Sequence, residues 1–177
     1  MGIIIAAVLT TLLALACYGG VLLRLAPRRE WRWLALACAL QLPMSAGTYY
    51  LVRRPLDAGI HALLGDLANS LWLRTLYAPL TEEPAKLWPL LIPAFARRIT
   101  RENAVRCAVA LGLGFGIGEI GFIAQLIYAD GEFNALPWYN FSGFINERFM
   151  VCLIHGGFVT LSPGSAGTRT RQQPACS

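Results

Sequence analysis

Charged residues are scarce in this sequence. They make up 14% of its 177 residues, whereas about 25% is typical of a soluble domain. Apolar residues make up 56%, and the mean hydropathy is +0.52. This composition excludes an ordinary water-soluble globule and favours a membrane protein with one domain.

The usual cysteine and histidine motifs are also missing. The five cysteines form no CxxC pair, and four of them lie in apolar stretches, where a free cysteine behaves as a small hydrophobic residue. Their odd number and irregular spacing argue against a disulfide framework. HExxH is absent, which excludes a zincin-type site.

Lysine is nearly absent, since Lys86 is the only one beside 14 arginines. The arginines cluster between apolar segments, as they do in the cytoplasmic loops of membrane proteins. This pattern does not resemble a nucleic-acid-binding surface, so we expect no nucleic-acid partner.

Four apolar runs are close to the roughly 20 residues that cross a bilayer. The second run is interrupted by Pro43 and is therefore expected to bend there. The predicted membrane helices are residues 3–23, 33–52, 107–129 and 141–161.

The region 57–96 is apolar but is interrupted by charges and prolines, so it crosses the membrane once or twice, or partly re-enters it. The sequence thus predicts an all-α, polytopic transmembrane bundle of about five to six membrane helices over residues 1–161. Residues 78–160 contain the motifs, and residues 162–177 form a polar tail that is predicted to be disordered. The expected location is a bacterial plasma membrane.

The basic segments 24–32, 97–105 and 169–171 predict an orientation. If all three face the cytoplasm, the N-terminus and the acidic loop 130–140 lie outside. Arg53 and Arg54 would then lie on the outer side, against the usual excess of positive charge in cytoplasmic loops.

The first polar cluster lies in "LTEEPAK" and contains Glu82, Glu83 and Lys86. On a helix, Lys86 is within reach of either carboxylate, while the two carboxylates point about 100° apart. One carboxylate is then held by the ammonium and the other projects into a cavity. The alternative is a solvated helix start capped by Thr81.

The second cluster is Glu119 in "GLGFGIGEIGF". A carboxylate in mid-span needs a partner from another helix, a proton or a metal. The pairs Gly112/Gly116 and Gly114/Gly118 predict close approach of neighbouring backbones. "GIGEIG" matches GxGxxG, but without a βαβ context it does not indicate a dinucleotide site. A neutral, structural Glu119 is the alternative.

The third cluster is on "ERFMVCLIHGGF", where Arg148, Cys152 and His155 share a helix face. A lone histidine on an apolar helix is more often structural than a ligand, but a position in the middle of a membrane span raises the expectation of a functional role. Glu147 and Arg148 are alternatively a surface pair. His61 and Asp66 lie on different helix faces and are interpreted as interfacial or structural.

Glutamates and a histidine from separate helices suit the activation of water. Carboxylate oxygen and imidazole nitrogen are ordinary zinc ligands, and a further glutamate can act as a general base.

The three motifs resemble, in order and roughly in spacing, those of the PrsW-like intramembrane proteases. That family lies within a wider group of CAAX prenyl endopeptidases and bacteriocin-processing proteins, in which a YhfC-like branch is another candidate. Glu82, Glu83 and Lys86 match EExxK, Glu119 follows Phe115 as in the second motif, and His155 matches the third. Ile120 and Val159 stand where asparagines are common in the group.

The resemblance implies a multi-pass intramembrane endopeptidase that acts on a membrane-anchored protein, such as an anti-sigma factor. Glu82, Glu83, Lys86, Glu119 and His155 would be its catalytic residues. Glu119 and His155, with Glu83 as a further candidate, would bind a divalent metal such as zinc or position the water.

Two other functions stay open. One is a non-catalytic relative of the bacteriocin-immunity or scaffold type, and the abrupt change at Ser162 would also fit a truncated or frameshifted product. The other is a proton- or ion-coupled transporter, which the lack of internal repeats disfavours. The sequence predicts neither the substrate nor the oligomeric state.

Overall fold

The structure is a computed structural model that describes residues 1–65 and 80–161, with the backbone alone at 158–161. Every regular element in these ranges is helical, so the predicted all-α class is confirmed there. The elements are α1 (Gly2–Ala14), a π-helical segment (Leu15–Gly19), α2 (Gly20–Leu25), α3 (Trp31–Gln41), α4 (Met44–Thr48), a second π-helical segment (Tyr49–Arg53), α5 (Arg54–Leu64), α6 (helical residues 80–86), α7 (Pro93–Ala96), α8 (Ala104–Asp130) and α9 (Ser142–Leu161).

Two of these helices are long and apolar enough to cross a membrane. They are the continuous helix Gly2–Leu25, which comprises α1, the first π-helical segment and α2, and the helix Ala104–Asp130, which is α8. They coincide with the predicted spans 3–23 and 107–129.

The predicted bend near Pro43 divides the second apolar run. Helix α3 ends at Gln41, and α4 begins at Met44. Proline lacks an amide hydrogen and cannot continue a helical hydrogen-bond ladder. The region 80–96 is divided in the same way. Helix α6 is followed by a short 3₁₀ helix at Trp88–Leu91 and then by α7, and both of these later helices have a proline in their first two positions.

Helix α8 is the central element and packs against α1, α3, α4 and α9. Its buried apolar side chains contribute to both hydrophobic cores of the described residues. One core also contains α3 and Phe95, and the other contains α1, Phe141 and Cys152.

Glycines on two sides of α8 allow this packing. A Cβ atom on Gly112 would lie 2.5 Å from the backbone of His155, and one on Gly116 would lie 2.8 Å from the Cys152 sulfur, both on α9. The other pair faces α3 and the turn after it, since a Cβ on Gly114 or Gly118 would overlap a backbone carbonyl oxygen. The close backbone approach predicted from the paired glycines is therefore present on both sides.

These contacts also give the helix directions. Gly112 faces His155 and Gly116 faces Cys152, so α9 runs antiparallel to α8. On the other side, the carbonyls of Cys38 and Leu42 lie at Gly114 and Gly118, so α3 runs parallel to α8.

Some predictions fall outside the described residues. They are the placement of Asp66, the path of the chain between 66 and 79, and the tail at 162–177.

Candidate functional site

Lys86, at the end of α6, is the most deeply buried charged side chain of the described residues, with 0% exposure. Its ammonium donates to Glu83 Oε1, and its Nζ lies 2.7 Å from His155 Nδ1. The Phe115 ring centroid is 5.1 Å from the same nitrogen. A buried cation needs such partners because an unpaired one would lose its hydration without compensation.

His155 joins the ammonium to a second carboxylate. Its Nε2 lies 2.9 Å from Glu119 Oε2, on the opposite side of the ring from Lys86. An ammonium has only donors, so Nδ1 accepts from Lys86 and the ring proton is on Nε2, which donates to Glu119. The ring also meets the edge of Phe115, at 5.1 Å between centroids. The neighbours therefore determine the tautomer of His155.

Arg148 holds the other oxygen of Glu119. Its Nη1 donates to Glu119 Oε1 at 2.8 Å, and its Nη2 donates to Glu147. Arg148 was not among the predicted site residues. Its position seven residues before His155, on the same helix face, was the available signal, but only the packing of α9 on α8 shows that the two side chains hold one carboxylate.

Glu82 and Glu83 point in different directions, as their angular separation on a helix predicts, but the second carboxylate, that of Glu82, pairs with an arginine instead of projecting into a cavity. Glu83 binds Lys86, whereas Glu82 Oε1 accepts from Arg53 Nη1 at 2.8 Å. This pairing, which sequence analysis missed, accounts for an arginine that departs from the expected charge bias.

The Glu82 side chain is only 19% exposed. Its pair with Arg53 therefore compensates for the hydration that the buried carboxylate loses.

Gln41 attaches the end of α6 to α3. Its side chain is fully buried, and its Nε2 donates to the Lys86 backbone oxygen at 2.5 Å. Because this hydrogen bond joins the end of α3 to Lys86, the polar cluster lies beside the bend that Pro43 introduces. Gln41 is therefore a further supporting residue, after Arg148 and Arg53, and its sequence position did not indicate this role.

The five predicted residues are therefore brought together by α6, α8 and α9. Four of them form one hydrogen-bonded series, which we call the polar chain: Glu83, Lys86, His155 and Glu119. Glu82 is the neighbour of Glu83 in α6 but is outside this series, because its partner is Arg53. His61, on the exposed surface of α5, is not part of it.

The donor set does not complete a zinc site within the residues that the structure describes. No three His, Cys, Asp or Glu side chains are grouped there so as to hold a metal ion. Glu119 and His155 supply two donors, and Glu83 lies across Lys86 from them. Structural and catalytic zinc sites need at least three protein ligands, so the divalent metal stays a prediction.

An apolar groove lies beside the polar chain rather than around it. Its lining includes Tyr18, Leu113, Cys152 and Gly156, and it contains none of the five predicted site residues. The side chains of the polar chain meet by direct hydrogen bonds.

Comparisons with protein-family models, with curated proteins and with solved structures found no match.

Proposed function

We propose that this protein is an intramembrane endopeptidase of the PrsW-like type, which hydrolyses a peptide bond in a membrane-anchored protein. The observation that supports the proposal best is the polar chain, because it joins the three motifs through His155 Nδ1 at 2.7 Å and Nε2 at 2.9 Å. Buried ionisable groups of this kind in a membrane protein usually serve function.

The membrane arrangement that accompanies this proposal is a multi-pass bundle of five to six helices in a bacterial plasma membrane. The two candidate spans support it, and so does the antiparallel packing of α9 on α8. The broken segment 80–96 would carry the first motif to the middle of the bundle, where irregular backbone is tolerated when protein covers it.

In this proposal Glu119 is the carboxylate that positions the water. Arg148 and His155 each donate to one of its oxygens, and both hydrogen bonds favour the charged form. A carboxylate has about four acceptor positions, so each oxygen can still accept a hydrogen bond from water.

Glu83 is the proposed general base. Its side chain is 35% exposed while the ammonium that it binds is fully buried, so its carboxylate is the accessible end of the polar chain. A carboxylate at that end can take a proton from water as the water attacks a peptide carbonyl. Lys86 then serves as a positioning residue, since its burial keeps it away from substrate.

The test is a comparison of membrane-protein fragments in cells that express the wild type or a variant. N-terminal proteomics should find one or more new cleavage products with the wild type, and Glu83→Gln, Glu119→Gln or His155→Ala should reduce them at least a hundredfold. Glu132→Gln is the matched control, because Glu132 is an exposed glutamate in the loop after α8. Products at wild-type levels in the three site variants would refute the proposal.

The expected divalent metal is checked separately by elemental analysis of purified wild type beside His155→Ala. A stoichiometric ion that is lost in the variant would place the metal at this histidine. Its absence from both proteins would leave carboxylate-activated water as the mechanism.

One observation favours a non-catalytic relative as the second candidate. Both ring nitrogens of His155 and both oxygens of Glu119 have protein partners, so the polar chain is also able to serve as a structural network. In that case the site variants would lower the melting temperature and the wild type would produce no fragments.

A further inference from the structure

Two arginine-rich segments that are far apart in sequence meet at one end of the helical bundle. The first, residues 24–32, joins α2 to α3, and the second, residues 97–106, leads into α8. Arg106 links them, because its Nε and Nη2 donate to the two carboxylate oxygens of Glu30 at 2.9 and 3.0 Å. A bidentate pair of this type sets orientation as well as distance. We call this surface the basic end.

Tryptophan rings give the basic end a fixed apolar border. Trp33 stacks against Phe95 at 4.3 Å between centroids, and the Arg98 guanidinium lies 5.0 Å from the Trp33 ring centroid. Trp31 is half exposed, and its Nε1 donates to the backbone oxygens of Leu23 and Ala26. Tryptophan at the edge of an apolar bundle is characteristic of the level of lipid headgroups.

The loop that presents Arg98 is also held in place. Asn103 Nδ2 donates to the Arg98 backbone oxygen at 2.9 Å, and Asn103 Oδ1 accepts from the Thr100 amide at 2.8 Å. Arg98 is therefore carried on ordered backbone, and less backbone entropy is lost when it binds a ligand.

The charge at this end is strongly positive. Glu30 is paired with Arg106, and Glu102 is the other acid of the two segments. In contrast, residues 107–147 contain no lysine or arginine, and the opposite loop carries Asp130 and Glu132. The exposed arginines of the basic end are Arg24, Arg28, Arg29, Arg32, Arg97, Arg98 and Arg101.

We propose that the basic end binds the headgroups of anionic phospholipids, of which phosphatidylglycerol is the test case. Guanidinium groups form paired hydrogen bonds to phosphate oxygens, and each arginine near an anionic leaflet gains roughly 1 kcal/mol. The tryptophan border lies against the upper acyl chains while the arginines bind the phosphates. This inference rests on the membrane insertion that accompanies the proposed function, and it is independent of peptide hydrolysis.

Lipid retention on the purified protein tests the proposal. Native mass spectrometry is performed in detergent with equal amounts of phosphatidylglycerol and phosphatidylcholine. The wild type should retain the anionic lipid preferentially, and R28Q/R29Q/R32Q should lower that preference about tenfold or more. The variant R28K/R29K/R32K keeps the charges and should keep most of the preference. The control variant R54Q removes an exposed arginine of α5, outside the basic end, and should leave the preference unchanged.

Two further measurements keep the test decisive if the triple variant does not fold. High salt should weaken the preference of the wild type, because exposed charges are screened. Free glycerol phosphate at the same concentration should not displace the lipid, since it lacks the acyl chains. Equal retention of the two lipids by the wild type, or displacement by glycerol phosphate, would overturn the proposal without affecting the peptidase assignment.

Discussion

Lys86 shows how one residue connects the motifs. Its ammonium contacts Glu83 in its own helix and His155 in α9 while being shielded from solvent. The EExxK spacing predicts the first contact, because positions three or four apart on a helix are neighbours. The second contact spans 69 residues and was beyond any local pattern.

Replacing this lysine should therefore affect a histidine that is far away in sequence. Lys86→Met leaves His155 Nδ1 without its donor, so the ring loses its preference for the Nε2–H tautomer. We expect a stability loss of about 1–3 kcal/mol, as is common for an unsatisfied buried group. Thermal melting in detergent measures the loss, and ¹⁵N NMR of labelled histidine reports the tautomer.

The matched control is Arg54→Met, which removes an exposed cation from α5. It should change neither the melting temperature nor the His155 spectrum. An unchanged His155 tautomer in Lys86→Met would show that the ammonium does not control the ring.

Arg148 and Arg53 show where prediction at the scale of residues fails. Both arginines find carboxylates 29 positions away in sequence, at Glu119 and Glu82 respectively. Each partner is on another segment, so helix periodicity has no means of pairing them. The need of Glu119 for a partner from another helix was predictable from its apolar surroundings; the partner's identity was not.

At the scale of elements, the glycines of α8 were informative in the sequence. Their spacing of four predicted close packing, and the structure adds that successive pairs face opposite neighbours. The proline interruptions at the end of α3 and along 80–96 were also predictable, because proline removes a helix donor wherever it stands. The two π-helical segments had no recognisable signal.

Alanine substitutions at a crowded and at an open glycine of α8 should distinguish the effect of helix packing from the effect of helix propensity. Gly112→Ala introduces a methyl group 2.5 Å from the backbone of His155. The overpacking should cost about 1–3 kcal/mol and shift His155 away from Glu119. Gly121→Ala is the matched control, since a Cβ there meets nothing within 4 Å, and alanine should stabilise the helix by up to about 1 kcal/mol.

Melting temperatures and fragment yields of the two variants provide the comparison. We expect Gly112→Ala to lose both stability and cleavage, while Gly121→Ala retains both. Equal behaviour of the two would mean that the α8–α9 contact does not hold the site.

At the scale of the molecule, the two ends of the bundle differ in charge. The amino group of Met1 donates to the backbone oxygen of Asn134, so the N-terminus lies at the end that carries the acidic loop. The basic segments 24–32 and 97–106 lie at the other end, linked by Glu30 and Arg106. The N-terminus and the acidic loop therefore share one end of the bundle, as the predicted topology requires, while the side of the membrane that this end faces stays a prediction.

An epitope tag in each end tests the orientation in cells. A tag between Gly131 and Glu132 should bind antibody in intact spheroplasts, because the acidic end is predicted to face outward. A tag after Arg101 should bind antibody only after permeabilisation. The reverse result would place the basic end outside and contradict the orientation.

The most direct test of the central claim is hydrolysis by purified protein in H₂¹⁸O. Wild-type protein in liposomes, with a membrane-anchored substrate identified from the fragment survey, should release a product whose new C-terminal carboxylate carries one ¹⁸O atom. Glu119→Gln and His155→Ala should release none, and Glu132→Gln should match the wild type. Labelled product from either site variant at the wild-type rate would contradict the assignment of the polar chain as a peptidase site.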